Sequence, residues 1–259
     1  MTAAPLILSV ETATRAGSIS LLKGGEELGF VIGNAQTSHS NTLLRDIEEV
    51  LQNSKVTLSD VQVLAAAAGP GSFTGLRIGL ATIKGLAVTL TVPCIGIPTL
   101  HAVAAAAGES RTTVAMLPAG RGEVFAQMLS VPSSGTVVEV DRPAHLSPRE
   151  LFDRYGSHPA IRWCGEGTQI FRDKIAEWAA QKGIDFSETR GDAIELIEDG
   201  WQLAPAEPKL ASYVGRLAFL KFQQGVAGDP ESLSALYVRP SDAELKSHVN
   251  NTASSRSPH

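Results

Sequence analysis

The chain of 259 residues is short of cysteine, of aromatic side chains and of positive charge. Its two cysteines, Cys94 and Cys164, have no cysteine neighbour at the spacing of a zinc or redox motif. Both sit among apolar or small residues, the setting of buried thiols in a reducing cytosol. The formal charge is −5. A protein that holds RNA alone usually carries a basic surplus, because neutralising phosphate dominates that affinity. If this chain works on RNA, another subunit must hold the RNA. No uninterrupted apolar run reaches the ~18 residues of a membrane span. The opening MTAAPLILSVET has no basic start followed by a long apolar run, and does not read as a signal peptide. Apolar residues make up 43% of the chain and charged residues 19%, which allows a large core and argues against disorder.

The pattern begins with strands. Residues 5–11 (PLILSVE) read as a buried strand, 17–22 as a second and 27–32 as a third, with a tight turn at Lys23-Gly24-Gly25. The period then changes. Over 41–52, Leu43, Leu44, Ile47, Val50 and Leu51 share a helical face opposite Arg45, Asp46, Glu48 and Glu49, with Ser40 or Asn41 as cap. A strand follows at 61–68, a helix at 73–90, a short strand at 93–96 and a helix at 99–107. Three antiparallel strands followed by two right-handed crossovers make a ribonuclease H-like lobe, the unit of actin-like ATPases. After Gly108 the chain is less regular. Strands are expected at 112–117, 123–131, 137–140 and 161–164. Helices are expected at 147–154, opened by Ser147-Pro148, at 169–181 and at 207–224. The expected architecture is α/β, with a ribonuclease H-like first lobe and a second lobe. They span 1–108 and 109–240, the second being smaller, and the helix at 207–224 is a candidate to return to the first. The polar tail 241–259 reads as unstructured.

The most informative stretch is Gly69-Pro70-Gly71-Ser72-Phe73-Thr74-Gly75. It follows an apolar strand and opens a helix, a place where free N–H groups can hold an anion. It fails the specific nucleotide signatures. A P-loop needs lysine then serine or threonine after its second glycine, where Thr74, Gly75 and Leu76 stand. A dinucleotide fingerprint needs glycine in place of Thr74 and a carboxylate some 20 residues on. A nucleophile elbow around Ser72 needs glycine in place of Pro70 and Thr74. The plain alternative is a strand-to-helix turn capped by Ser72 or Thr74. The helix behind it has two apolar faces. Leu76, Leu80, Ile83, Ala87 and Leu90 lie on one; Ile78, Ala81, Gly85 and Val88 lie on the other. A helix on a sheet needs one. The second is covered either by the helix ending at Ala107 or by another subunit.

The segment GPGSFTGLRIGLATIKGLA resembles the defining segment of the TsaB (YeaZ) family. The stretches ILSVETATRAGSISLL, TSHSNTLLRDIEEVL, IPTLHAVA and ALYVRP resemble further family segments, so the likeness is dense over 6–107, sparse over 108–230 and returns near 237. The resemblance implies that both lobes are ribonuclease H-like, of the actin-like type and related to sugar kinases and Hsp70 ATPases. It implies a cytoplasmic, non-catalytic paralogue of the transferase TsaD that forms a heterodimer with it, self-associates when alone, and is joined by the ATPase TsaE. TsaD transfers threonylcarbamoyl to N6 of adenosine 37 in tRNA, which this chain would meet only through the complex. The implied docking face is His39, Leu43, Leu44 and Ile47, with Arg77, Ile78, Ala81, Lys84, Gly85 and Val88. Two positions depart from the family pattern: Glu11 stands where aspartate is usual, and Asn41 where glutamate is usual.

Catalytic readings lack required parts. A TsaD-like metal site needs two histidines near the first helix, and His39 stands alone there; His101, His145, His158, His248 and His259 are isolated. A two-metal nuclease needs a carboxylate at the end of the fourth strand, beside Glu11 and Glu48, and finds Ala67-Ala68-Gly69. The competing function is an ATP-dependent actin-like ATPase or small-molecule kinase. Its candidate nucleotide residues are Glu11, Thr12, Gly69, Gly71, Ser72 and Thr74, with ATP or ADP and magnesium otherwise expected only at the level of a complex.

Overall fold

The computed structural model describes residues 4–189, 197–226 and 228–238. The tail 241–259 lies outside them. The first lobe opens with β1 (Leu6–Glu11), β2 (Ser18–Lys23) and β3 (Glu26–Ile32), an antiparallel meander. Then come α1 (His39–Asn53), β4 (Val63–Gly69), α2 (Phe73–Leu90), β5 (Cys94–Pro98) and α3 (Thr99–Ala106). The sheet runs β3-β2-β1-β4-β5, with β4 parallel to β1 and β5 parallel to β4. This is the ribonuclease H-like order expected from the pattern. β4 is buried along its whole length, as a central strand covered on both faces requires. The first turn of α1 differs from expectation. Ser38, not Ser40 or Asn41, is its N-cap, and His39 is its first helical residue.

Side-chain alternation splits this sheet into two cores. Leu8 and Val10 of β1 face α1 and α2, where they meet Leu43, Ile47, Val50, Leu80 and Ile83. Ile7 points the other way, toward Val214, Leu217 and Ala218 of α6 (Leu210–Gln223). α6 therefore packs across β1, β2, β4 and β5 beside α3, although it follows the whole second lobe in sequence. The Ser9 hydroxyl on β1 donates to the Ala211 carbonyl at 2.7 Å. α6 starts at Leu210 rather than 207, because Glu207 precedes Pro208 and its carboxylate accepts the Lys209 N–H at 2.7 Å. By length and composition α2 could cross a bilayer. Here one of its faces packs on β4 and β1, as a core helix does.

The second lobe holds β6 (Ser110–Gly120), β7 (Glu123–Val131), β8 (Val138–Glu139), β9 (Ala144–Leu146), α4 (Pro148–Tyr155), β10 (Ala160–Cys164), α5 (Gly167–Lys182), β11 (Phe186–Glu188) and β12 (Gly200–Leu203). Its sheet runs β11-β12-β10-β6-β7-β8, with β9 also on β7. The short strands β9, β11 and β12 escape pattern reading, since three or four residues show no period. α4 opens as expected: the Ser147 and Glu150 side chains cap each other's backbone around Pro148. Trp163 and Trp201 are buried here, and Trp178 packs against the same core. Cys94 and Cys164 are both free and buried, and burial pushes the Cys164 thiol up to about 12.

One buried charge ties the lobes. Arg162 on β10 is fully buried, inside a strand that the sequence presents as apolar. Its guanidinium donates to the Ala107 carbonyl at 3.1 Å and to the Glu109 carbonyl. It also donates to Gln202 Oε1 at 3.1 Å. It thus holds the short connection between α3 and β6.

Candidate functional site

The glycine-rich loop is packed against the turn after β1. A Cβ on Gly75 would overlap the Thr12 carbonyl, and one on Gly79 the Thr12 hydroxyl, so glycine lets the helix start rest on that turn. The Thr12 hydroxyl donates to the Gly75 carbonyl at 2.8 Å. Gly69, at φ +109°, lies against the Leu236 carbonyl, which a Cβ would approach to 2.6 Å. Leu236 N–H in turn donates to the Ala68 carbonyl.

The six candidate nucleotide residues are brought together in these two turns, but the polar groups of four of them bond to neighbouring residues of the chain. Ser72 is the N-cap of α2, its hydroxyl accepting the Gly75 N–H at 3.2 Å. The Ser72 N–H donates to the Ala13 carbonyl at 2.8 Å, and the Gly69 N–H to the Thr99 hydroxyl at 3.1 Å. Thr74 is exposed. Glu11 is fully buried; its two carboxylate oxygens accept the Thr14 N–H at 2.7 Å and the Thr14 hydroxyl at 2.6 Å. As placed, these groups do not fit a magnesium nucleotide: the carboxylate is turned into its own turn, and these loop N–H donors are taken. Among the described residues no three His, Cys, Asp or Glu side chains gather as a metal site.

Burial raises the pKa of Glu11 against the opposing Thr14 hydrogen bonds. The folded state therefore favours the proton. The stability this group contributes is complete below the ordinary glutamate range and is lost as pH rises through the raised value. Glu11→Gln keeps the shape and removes the titration. Its stability in urea is expected to fall less than wild type as pH rises above the ordinary glutamate range. Parallel pH profiles for the two proteins would show that Glu11 carries no such penalty.

The docking residues divide by exposure. Leu76, Leu80, Ile83 and Ala87 of α2 are buried in the lobe, while Ala81, Gly85 and Val88 face outward. Val88 is 68% exposed, and nothing lies within 4 Å of where a Gly85 Cβ would be. Leu44 on α1 is 67% exposed. Arg77 is exposed; Ile78 and Lys84 are half-buried. α3 does not cover this face, because it packs on α6, β6 and β7. Two expected residues are corrected. Leu43 and Ile47 are each only 4% exposed, since they fill the core under α1. His39 is half-buried over the Gly17 turn, with Nε2 3.2 Å from the Thr14 carbonyl oxygen.

Sequence reasoning missed the near end of this face. The C-terminal segment crosses the start of α2, so Tyr237 lies 5.4 Å from Phe73, centroid to centroid. The Arg77 guanidinium stacks 3.9 Å over Phe73, and its Nε donates to the Tyr237 hydroxyl at 3.4 Å. The ALYVRP segment was the available signal, but nothing local says where it goes.

Comparison with known proteins agrees with this fold. The family model for TsaD, tRNA N6-adenosine threonylcarbamoyltransferase, matches residues 25–199, about two thirds of the chain. The TsaB protein of tRNA threonylcarbamoyladenosine biosynthesis from Haemophilus influenzae is 39% identical over 122 residues, 46% of this chain and 51% of that protein. The Escherichia coli TsaB is 32% identical over 152 residues, 57% of this chain and 65% of that protein. The matches thus span between half and two thirds of these relatives. The solved structure of YeaZ from Pseudomonas aeruginosa superposes with a TM-score of 0.70 at 22% identity, covering 90% of this chain and 99% of that one. The chain belongs to the TsaD family, within which it is similar to the TsaB (YeaZ) proteins.

Proposed function

We propose that this chain is a docking subunit, without turnover of its own, of a cytoplasmic complex that forms N6-threonylcarbamoyladenosine at position 37 of tRNA. The observation that carries this reading is the open apolar face of α2, with Ala81, Gly85 and Val88 exposed beside Leu44. Small residues four apart let a second helix approach closely, and the exposed apolar groups gain by leaving water. The partner is a TsaD-like transferase, a paralogue with the same lobes. A TsaE-like ATPase joins that pair, and nucleotide and magnesium belong to the assembled complex. The tRNA is held elsewhere in it, in keeping with a net charge of −5. Alone, the chain pairs with a second copy through the same face. The ATPase or kinase reading has less support, because Glu11 and the Gly69, Ser72 and Gly75 N–H groups are already bonded internally.

Co-expression with the TsaD-like protein of the same source tests the reading. A stable complex is expected on size exclusion, with threonylcarbamoyl transfer to tRNA only when both proteins are present. Separate elution, or transfer by this chain alone, would overturn it. So would micromolar ATP binding by the lone chain that is lost in Glu11→Ala.

A further inference from the structure

On the opposite side of the first sheet from α2, a cavity of about 170 Å3 lies at the seam between the lobes. Ile97 from β5 and Leu217 and Leu220 from α6 supply apolar walls from the first lobe; Val137, just before β8, closes it from the second. An engineered apolar cavity of roughly 150 Å3 accepts benzene, so the space suits a body of about six to eight heavy atoms. One cation, Lys221, lines it. Its ammonium lies 3.4 Å from the Gly96 carbonyl oxygen, longer than a normal hydrogen bond, and among the described residues no carboxylate stands within ion-pair distance. His101 Nε2 is 3.0 Å from Glu139 Oε1, across the seam, and burial lowers the His101 pKa, so Glu139 is hydrogen-bonded there but keeps its charge, which acts on Lys221 from beyond ion-pair distance. Burial lowers the pKa of Lys221, so its charge lacks full solvation.

We propose that this cavity binds a small monocarboxylate with a short apolar body, its carboxylate on the Lys221 ammonium and its body against Ile97, Val137 and Leu217. The walls also carry His101, Thr136 and Gln224, and a half-buried ammonium with donors to spare beside them is stabilised by an anion more than by a neutral group. A monoanion fits better than a phosphate dianion, because Glu139 stands nearby and a single lysine opposes it. The bound molecule touches both lobes and so holds them in this relative position. The site is independent of the docking face.

The test uses the full chain labelled with 15N, titrated with sodium butyrate at constant ionic strength. Butyramide is the neutral control. Saturable shifts are expected at the amides of Val137, Leu220 and Lys221, with butyramide at least about tenfold weaker. Lys221→Met is expected to weaken butyrate by about tenfold or more. Val137→Phe, which fills the cavity, is expected to abolish binding, and the unchanged remainder of its spectrum reports an intact fold. Equal response to butyrate and butyramide, unsaturable shifts scattered over the surface, or undiminished affinity in Lys221→Met would each overturn the proposal.

Discussion

Gly85→Arg is expected to give a folded chain that no longer co-elutes with its TsaD-like partner. The two halves of this result have separate causes. Nothing in the chain lies within 4 Å of the added Cβ, and the position is exposed, so the monomer has room for the new side chain. Arginine is also a better helix former than glycine by ~0.8 kcal/mol, which favours α2 itself. Against a close-packed partner helix, the same side chain must either hold the helices apart or leave its charge poorly solvated. Losses at the centre of an interface run to about 2–4 kcal/mol, or roughly 30- to 1000-fold in affinity. Ala81→Arg, one turn earlier on the same face, is expected to act alike. Leu43→Ala should separate from both: its side chain is core, so it costs about 2–5 kcal/mol of stability and acts on docking only through folding. Thermal unfolding paired with titration calorimetry distinguishes these cases. Wild-type affinity in both arginine variants would remove α2 from the interface.

Arg162→Ala is expected to be the most damaging single change in the seam between the lobes. Alanine leaves the buried Ala107 carbonyl and the partly buried Glu109 carbonyl and Gln202 side chain without their donor. Each buried group left unsatisfied costs about 1–3 kcal/mol, and the vacated volume adds to this. A total above about 3 kcal/mol follows, a large part of the stability of an ordinary domain. Arg162→Lys should recover only part of it, since an ammonium cannot present the planar fork that reaches acceptors on different elements. All three tryptophans lie in the second lobe, so urea unfolding followed by their fluorescence reports this loss directly. Stability of Arg162→Ala within 1 kcal/mol of wild type would mean that the connection is held by other contacts.

The order of elements in the first lobe was readable because each carries its own period. β1 and β4 are apolar runs with turn residues at their ends, and α1 shows a stripe repeating every three to four residues. The same logic exposed the surplus apolar face of α2. It could not say whether that face was covered, and the reason is geometric: a face is free or buried according to which distant segment lies over it. α3 was an equal candidate in the sequence, and it packs on the other side of the sheet, beside α6. The family resemblance misplaced Leu43 and Ile47 on the docking face, and periodicity grouped the exposed Leu44 with them. A helical stripe shows that residues share a side, not whether that side meets the protein's own core or a partner.

What the sequence by itself determined is the local structure, the ribonuclease H-like order of the first sheet and the family, since all three rest on near neighbours in the chain. Only the tertiary structure decided that Tyr237 stacks on Phe73, that α6 returns to β1, that Arg162 grips the connection at Ala107, and that Glu11 turns inward to Thr14. Most of these join residues far apart along the chain, where no spacing rule operates. The Glu11 contact is local, but its burial depends on the α2 start packed against the same turn. Partners of this kind are selected by burial and hydrogen-bond satisfaction summed over the whole fold, and a linear pattern does not carry that sum.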